Sequence, residues 1–128
     1  LVERHIKNLK QMAEDFTEKK GYKSFLEKTL SEIFSHFKNE PAITLFLMEK
    51  DIQKYSSLAL KKGKEFNFNK EQITILAGAS YMIGGVQGID SDKIFRIDLS
   101  MNTMIEQRRK QIGQKLYDVL KEAGGIDE

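Results

Sequence analysis

One stretch of the chain carries no charge at all: Ile73-Thr-Ile-Leu-Ala-Gly-Ala-Ser-Tyr-Met-Ile-Gly-Gly-Val-Gln-Gly-Ile89. It sits in a sequence of which 31% is charged. A segment like this is stable in water only when other parts of the chain cover it, so it limits the folds available. Local signals at its start favour a helix. Asn69 is a good N-cap, Gln72 three residues later completes a capping box, and Phe68 and Ile73 flank the cap as a hydrophobic staple would. On a helix the residues sort by size. Ala77, Ser80, Gly84 and Gly88 share one narrow face, while Ile75, Ala79, Met82, Val86 and Ile89 lie opposite. The small face would let another helix approach closely. Each interior glycine costs about 1 kcal/mol relative to alanine. Either tight packing offsets Gly78, Gly84, Gly85 and Gly88, or the helix ends near Ile83 and the glycines form a loop.

The run falls short of the roughly 20 apolar residues a membrane span needs. It also contains Thr74, Ser80 and Gln87, so a buried helix of a soluble domain is the expectation. The chain's length of 128 residues suits one domain, 1–128, with a real core. Basic and acidic residues number 21 and 19, for a net charge of +2. That near-balance gives no concentrated basic face for nucleic acid. With no cysteine, disulfides and thiolate metal sites are excluded. The N-terminus is amphipathic rather than a secretory leader, so the expected compartment is the cytoplasm. The chain begins at Leu1 rather than Met, which reads as a piece of something longer.

Before the uncharged stretch, three helices are expected. Residues 1–19 place Val2, Ile6, Leu9, Met12, Ala13 and Phe16 on one stripe, with Gly21 as the stop. Residues 22–38 carry Phe25, Leu26, Leu30, Ile33, Phe34 and Phe37 on a broad apolar face. After the break at Asn39-Glu40-Pro41, a third helix runs from Pro41 to about Lys62 and stops at Gly63, its first half apolar on several sides. His5 and His36 lie on separate helices without acids at ligand spacing, which makes no metal site. The lysines around Gly63 lack phosphate-loop spacing and suit a helix C-terminus. Beyond the stretch, Asp90-Ser91-Asp92 suits a helix start. A last helix from about Asp92 to Ala123, ending at Gly124-Gly125, gathers Ile94, Ile97, Met101, Met104, Ile105, Ile112, Leu116 and Val119 on one arc. Phe95 to Ser100 alternates like a strand, but no second strand is evident to pair with it. The fold class read from these patterns is an all-α antiparallel bundle of about five helices, its last two forming a dimer interface.

Arg108 falls within the last helix's apolar stripe. It would either bind an anion or pair across an interface, or lay its stem on the stripe and bring its head to water. Arg109 and Lys110 read as solvated. No nucleophile–base pair, metal-ligand cluster or phosphate loop stands out, so no catalytic residue, metal or cofactor is assigned and the chain is read as a non-enzyme. Arg96-Ile-Asp98 with Glu106 to Arg109 is slightly similar to the opening helix of the all-helical chorismate mutases, but the helices that complete that family's site do not follow.

The order and character of the helices resemble the C-terminal ligand-sensing and dimerisation domain of TetR-family transcriptional regulators. The residues that carry this are Phe25 to Asp51, with Phe37-Lys-Asn-Glu-Pro41 and Leu45-Phe-Leu-Met-Glu49, and the small-residue segment Leu76 to Gly88. The family's N-terminal helix-turn-helix is absent. The resemblance implies a homodimer and a small, mostly apolar effector held between helices, with no direct nucleic-acid contact and no membrane. Phe37, Phe46, Met48, Tyr55, Met82 and Arg108 are the candidate ligand-binding residues. Ser80, Gly84, Gly88, Met101, Ile105 and Ile112 are the candidate dimer interface. The rival expectation is a free-standing dimeric helical interaction module, of phage or plasmid accessory type, with no ligand.

Overall fold

The computed structural model describes residues 2–124. Leu1 and Gly125, expected at the start of the first helix and the end of the last, lie outside the described residues. The elements in order are α1 (Val2–Phe16), α2 (Gly21–His36), β1 (Ile43–Leu47), α3 (Glu49–Glu65), a 3-10 turn (Lys70–Gln72), β2 (Ile73–Ala77), β3 (Val86–Asp90), β4 (Arg96–Leu99) and α4 (Met101–Glu122). The all-α bundle is therefore corrected: the fold is α/β, built on a four-stranded sheet in the order β2-β1-β3-β4. β1 and β2 run parallel, and β3 and β4 extend the sheet antiparallel.

The half of the expected third helix that looked apolar on several sides is β1. Ile43, Leu45 and Leu47 are buried, and Thr44 and Phe46 are partly exposed, the period of two that a half-covered strand requires. A short apolar run reads equally as buried helix or strand, and neighbours decide it. α3 then continues through Gly63 to Glu65 rather than stopping there.

The uncharged stretch divides into three pieces. Its capping box forms: the Asn69 amide donates to Gln72 Oε1 at 2.8 Å. The box opens only the 3-10 turn, because Ile73-Thr-Ile75 is β-branched and finds a ladder on β1, Ile43 facing Ile73 and Leu47 facing Ala77. Residues 78–85 form a loop that turns on Gly84 (φ +58°) and Gly85 (φ +73°), a conformation glycine adopts without steric cost. Residues 86–90 return as the central strand β3, paired with both β1 and β4. The alternating Phe95 to Ser100 segment is β4; its partner was the strand hidden in the glycine-rich run.

α2 and α3 cover one sheet face. Leu26, Leu30, Ile33 and Phe34 of α2, with Ala59 and Tyr55 of α3, join Ile43, Leu45, Leu47, Ile73 and Val86 in one hydrophobic core. Gly88 is the point of closest approach. A Cβ there would stand 2.6 Å from Ile33 Cγ2 and 3.3 Å from Phe37, so its missing side chain seats α2 on β3. The opposite face presents Thr44, Phe46, Thr74, Leu76, Gln87, Ile89, Arg96 and Asp98. α1 and α4 pack on each other beside the sheet. Among the described residues no helix is long and apolar enough to cross a membrane.

Candidate interaction surface

The α1–α4 contact is a short antiparallel seam. Val2, Ile6, Leu9, Ala13 and Phe16 follow each other at alternating steps of four and three residues, as coiled-coil seams do. Ile6 and Ala13 are buried, as are Met101 and Ile105 on α4. Two ion pairs fix the direction: Glu3 at the start of α1 pairs with Arg109, and Lys10 further along pairs with Glu106 at 3.7 Å. Arg109 Nε also holds Glu106 Oε2 at 2.9 Å.

The apolar row on α4 does not stop where α1 does. Ile112, Leu116, Val119 and Ala123 continue the line of Ile105, with Leu120 at its edge. Ile112 is partly exposed, Leu116 is 54% exposed, Val119 61% and Leu120 42%. Among the described residues such a row is the uncovered part of the seam, and it lies past the first described residue of α1, Val2. Arg108 and Lys115 flank it on one side and, with Gln111, Ile112, Gln114 and Asp118, line a shallow groove of about 410 Å³.

The base of α4 is held by a polar cluster. Ser100 is the N-cap, its side chain accepting from the Thr103 amide. Asp98 accepts from Ser100 N (3.0 Å), Ser100 Oγ (2.6 Å), Thr103 Oγ1 (2.7 Å) and Gln87 Nε2 (3.0 Å). Burial alone would raise its pKa, but the hydrogen bonds from Ser100, Thr103 and Gln87 outweigh that and hold the carboxyl below its ordinary range. Arg96 Nη2 donates to Gln87 Oε1 at 2.8 Å and lies over the Phe46 ring, 5.3 Å from its centre.

A second cluster locks the 78–85 loop to the core. The fully buried Tyr22 hydroxyl donates to Asp51, in the first turn of α3, and accepts from the Gly85 amide at 3.1 Å. Burial raises the Asp51 carboxyl above its usual range, against the opposing effects of Tyr22, Lys50 and Lys54. Burial and the neighbouring Asp51 likewise push the Tyr22 phenol up. Lys50 bridges Thr17 Oγ1 (2.9 Å) and Glu18, and its hydrogen bond and charge lower the Glu18 carboxyl.

The residues expected to bind a ligand do not converge on one cavity. Phe37 and Tyr55 are core, Tyr55 packed edge-on against Tyr22. Phe46 lies on the open sheet face beneath Arg96. Met48 and Met82 do meet, lining a groove with Thr17, Glu18 and Lys50. Arg108 is exposed on α4, and its neighbour Arg109, expected to be solvated, makes the interhelical ion pair instead. The small-residue helix face does not exist: Ser80 is in the exposed loop, Gly84 in the turn and Gly88 in β3. Met101 and Ile105 are buried within the chain; Ile112 alone of that set sits on the uncovered row. Among the described residues no group of three or more His, Cys, Asp or Glu is placed to hold a metal. The row from Leu116 to Leu120 was partly legible in the sequence, where Leu116 and Val119 stand on the α4 arc. Its exposure among the described residues follows from the register in which Val2–Phe16 meets α4.

Fold and surface define a class: a small α/β domain with an amphipathic helix, α4, whose outer half is exposed among the described residues. No protein-family model matches the chain. The chain is similar to the second E-type subunit of the V-type ATP synthase of Clostridium tetani, 23% identical over 119 residues. The alignment takes in 93% of this chain and 56% of that protein, so the chain spans about half the length of the curated relative it matches. This similarity and the mixed sheet overturn the TetR-family resemblance, and with it the effector-sensing regulator. The free-standing helical module falls with the all-α fold.

Proposed function

We propose that this chain is a non-catalytic assembly subunit of a V-type ATP synthase, in which the sheet domain is a rigid head and α4 joins it to other subunits. The observation that carries this reading is the similarity over 93% of this chain; the apolar row from Ile112 to Leu120, in line with the α1–α4 seam and exposed among the described residues, supports a contact through α4. Leaving such a row in water forgoes roughly 25 cal/mol per Å² of apolar surface that a partner helix would bury. The similarity to a V-type ATP synthase subunit supports the kind of assembly. In this reading the protein works through contacts rather than chemistry, its partner is another polypeptide, and its compartment is the cytoplasm.

Native fractionation of the cells that make the protein tests this. A tagged chain should co-fractionate with ATP-hydrolysing complexes containing V-type catalytic subunits, identified by mass spectrometry. Leu116→Glu with Leu120→Glu should release it from them while leaving its fold unchanged. Migration of the unaltered chain wholly apart from such complexes would contradict the proposal.

A further inference from the structure

The two edges of the sheet are treated differently by the sequence. Edge strands offer unpaired amides and carbonyls to any passing strand, and natural sheets protect them with charges, proline, bulges or a covering element. β4 is protected: it is four residues long, bears Arg96 and Asp98, and leads straight into α4. β2 has none of these protections. Ile73-Thr-Ile-Leu-Ala77 contains no charge and no proline and, among the described residues, pairs with β1 on one side only. The Gly78 amide donates to Leu47 O at 2.8 Å. Backbone direction alternates along a strand, so the amides and carbonyls of Ile75 and Ala77 point away from β1.

Burial does not explain the missing charge. Thr74, Leu76, Ala77, Ala79, Ser80 and Tyr81 are all exposed, Leu76 by 47% and Tyr81 by 72%. The second half of the uncharged stretch is neutral because it is the central strand; the first half is neutral and faces outward. At the head of β2 the character changes: Lys61, Lys64 and Lys70 line a groove with Leu60, Phe68, Asn69 and Glu71.

We propose that β2 is a docking edge that receives an extended segment of a partner protein as a fifth strand, uncharged where it lies along β2 and acidic at the end beside Lys64 and Lys70. The backbone of Ile75 and Ala77 supplies the hydrogen bonds, Leu76 supplies apolar contact, and the lysine groove sets direction and charge preference. Two copies pairing through this edge would gain the same hydrogen bonds but bring no acid to the three lysines that share each groove with the single Glu71, so a different polypeptide is the better complement. This surface is separate from the α4 row and stands without it.

The test is a backbone-amide NMR titration of the full chain with a capped peptide of alternating threonine and valine ending in two glutamates. Its counterpart ends in two lysines. The acidic peptide should shift the Ile75 and Ala77 amides and slow their hydrogen exchange at least tenfold. The lysine peptide should bind at least tenfold more weakly. Ala77→Pro removes an outward amide without touching the β1 ladder and should abolish binding; Leu76→Lys should weaken it. No protection of Ile75 and Ala77 by the acidic peptide would overturn the proposal, as would equal binding of both peptides. Protection of these amides that grows with protein concentration alone would assign the edge to a second copy and overturn the heterotypic partner.

Discussion

Replacing Gly85 with alanine should be among the most damaging single-methyl changes in this domain. Gly85 has φ +73°, where an L-residue pays roughly 1–2 kcal/mol. The added Cβ would also fall on the Leu99 carbonyl oxygen and stand 2.7 Å from Ser100 Cα. Both are backbone atoms at the junction of β4 and α4, so no rotamer change relieves the contact. Overpacking of this kind adds about 1–3 kcal/mol. Any shift of the loop would further stretch the Gly85 amide from Tyr22 Oη. The sum is a loss of about 2–5 kcal/mol, read as a lowered urea midpoint at unchanged slope. Gly113→Ala is the internal control: nothing lies within 4 Å of its Cβ position on α4, so it should gain up to about 1 kcal/mol. Stability of Gly85→Ala within about 0.5 kcal/mol of the unaltered chain, the range of an ordinary surface change, would refute the turn geometry.

Three further outcomes follow from the buried polar clusters. Asp98 has a depressed folded pKa, so its stabilisation is full above the unfolded carboxylate value of about 3.9 and is lost as pH falls through the folded value; Asp98→Asn should remove that part of the acid sensitivity in urea titrations. Asp51 has a raised folded pKa, so its contribution runs the other way, declining as pH rises from the unfolded value through the folded one, and Asp51→Asn should flatten that decline. Tyr22→Phe should cost about 1–3 kcal/mol at neutral pH, because it leaves the buried Asp51 and the Gly85 amide without their shared partner; a cost near zero would show that water replaces the hydroxyl.

Much of the local grammar was legible in the sequence. α1 and α2, the break at Pro41 and the Asn69–Gln72 box occur near where the residues signal them, although α1 ends at Phe16 and Gly21, expected as its stop, opens α2. The fold class was not legible, for one physical reason applied three times. Ile43 to Leu47, Ile73 to Ala77 and Val86 to Asp90 are short apolar or small-residue runs, and period alone does not separate a buried strand from a buried helix at that length. The segment with visible alternation, Phe95 to Ser100, was set aside because its partners were unseen; one recognised strand would have exposed the others. The glycines misled as well. Gly84 and Gly85 serve a turn, and Gly88 serves a helix-on-strand approach, whereas the same spacing on a helix would mark a tight face. At the candidate surface, the α4 stripe could be drawn from sequence, but which part of it lies bare depends on where α1 meets it. Arg109, expected to be solvated, makes the ion pair while Arg108 keeps its head in water, for the same reason: they are about 100° apart on the helix, and only the position of Glu3 selects between them.

If the outer half of α4 is a seam awaiting a partner helix, its amides should report the partner's arrival. The decisive measurement is hydrogen exchange resolved along α4, in the isolated chain and in the proposed ATP synthase assembly. In isolation, amides at 101–109, covered by α1, should be protected, while those at 112–122 should exchange close to the rate of a fraying helix. In the assembly, 112–122 should become as protected as 101–109. Equal protection of 112–122 in both states, whether fast or slow, would contradict a docking role for this helix.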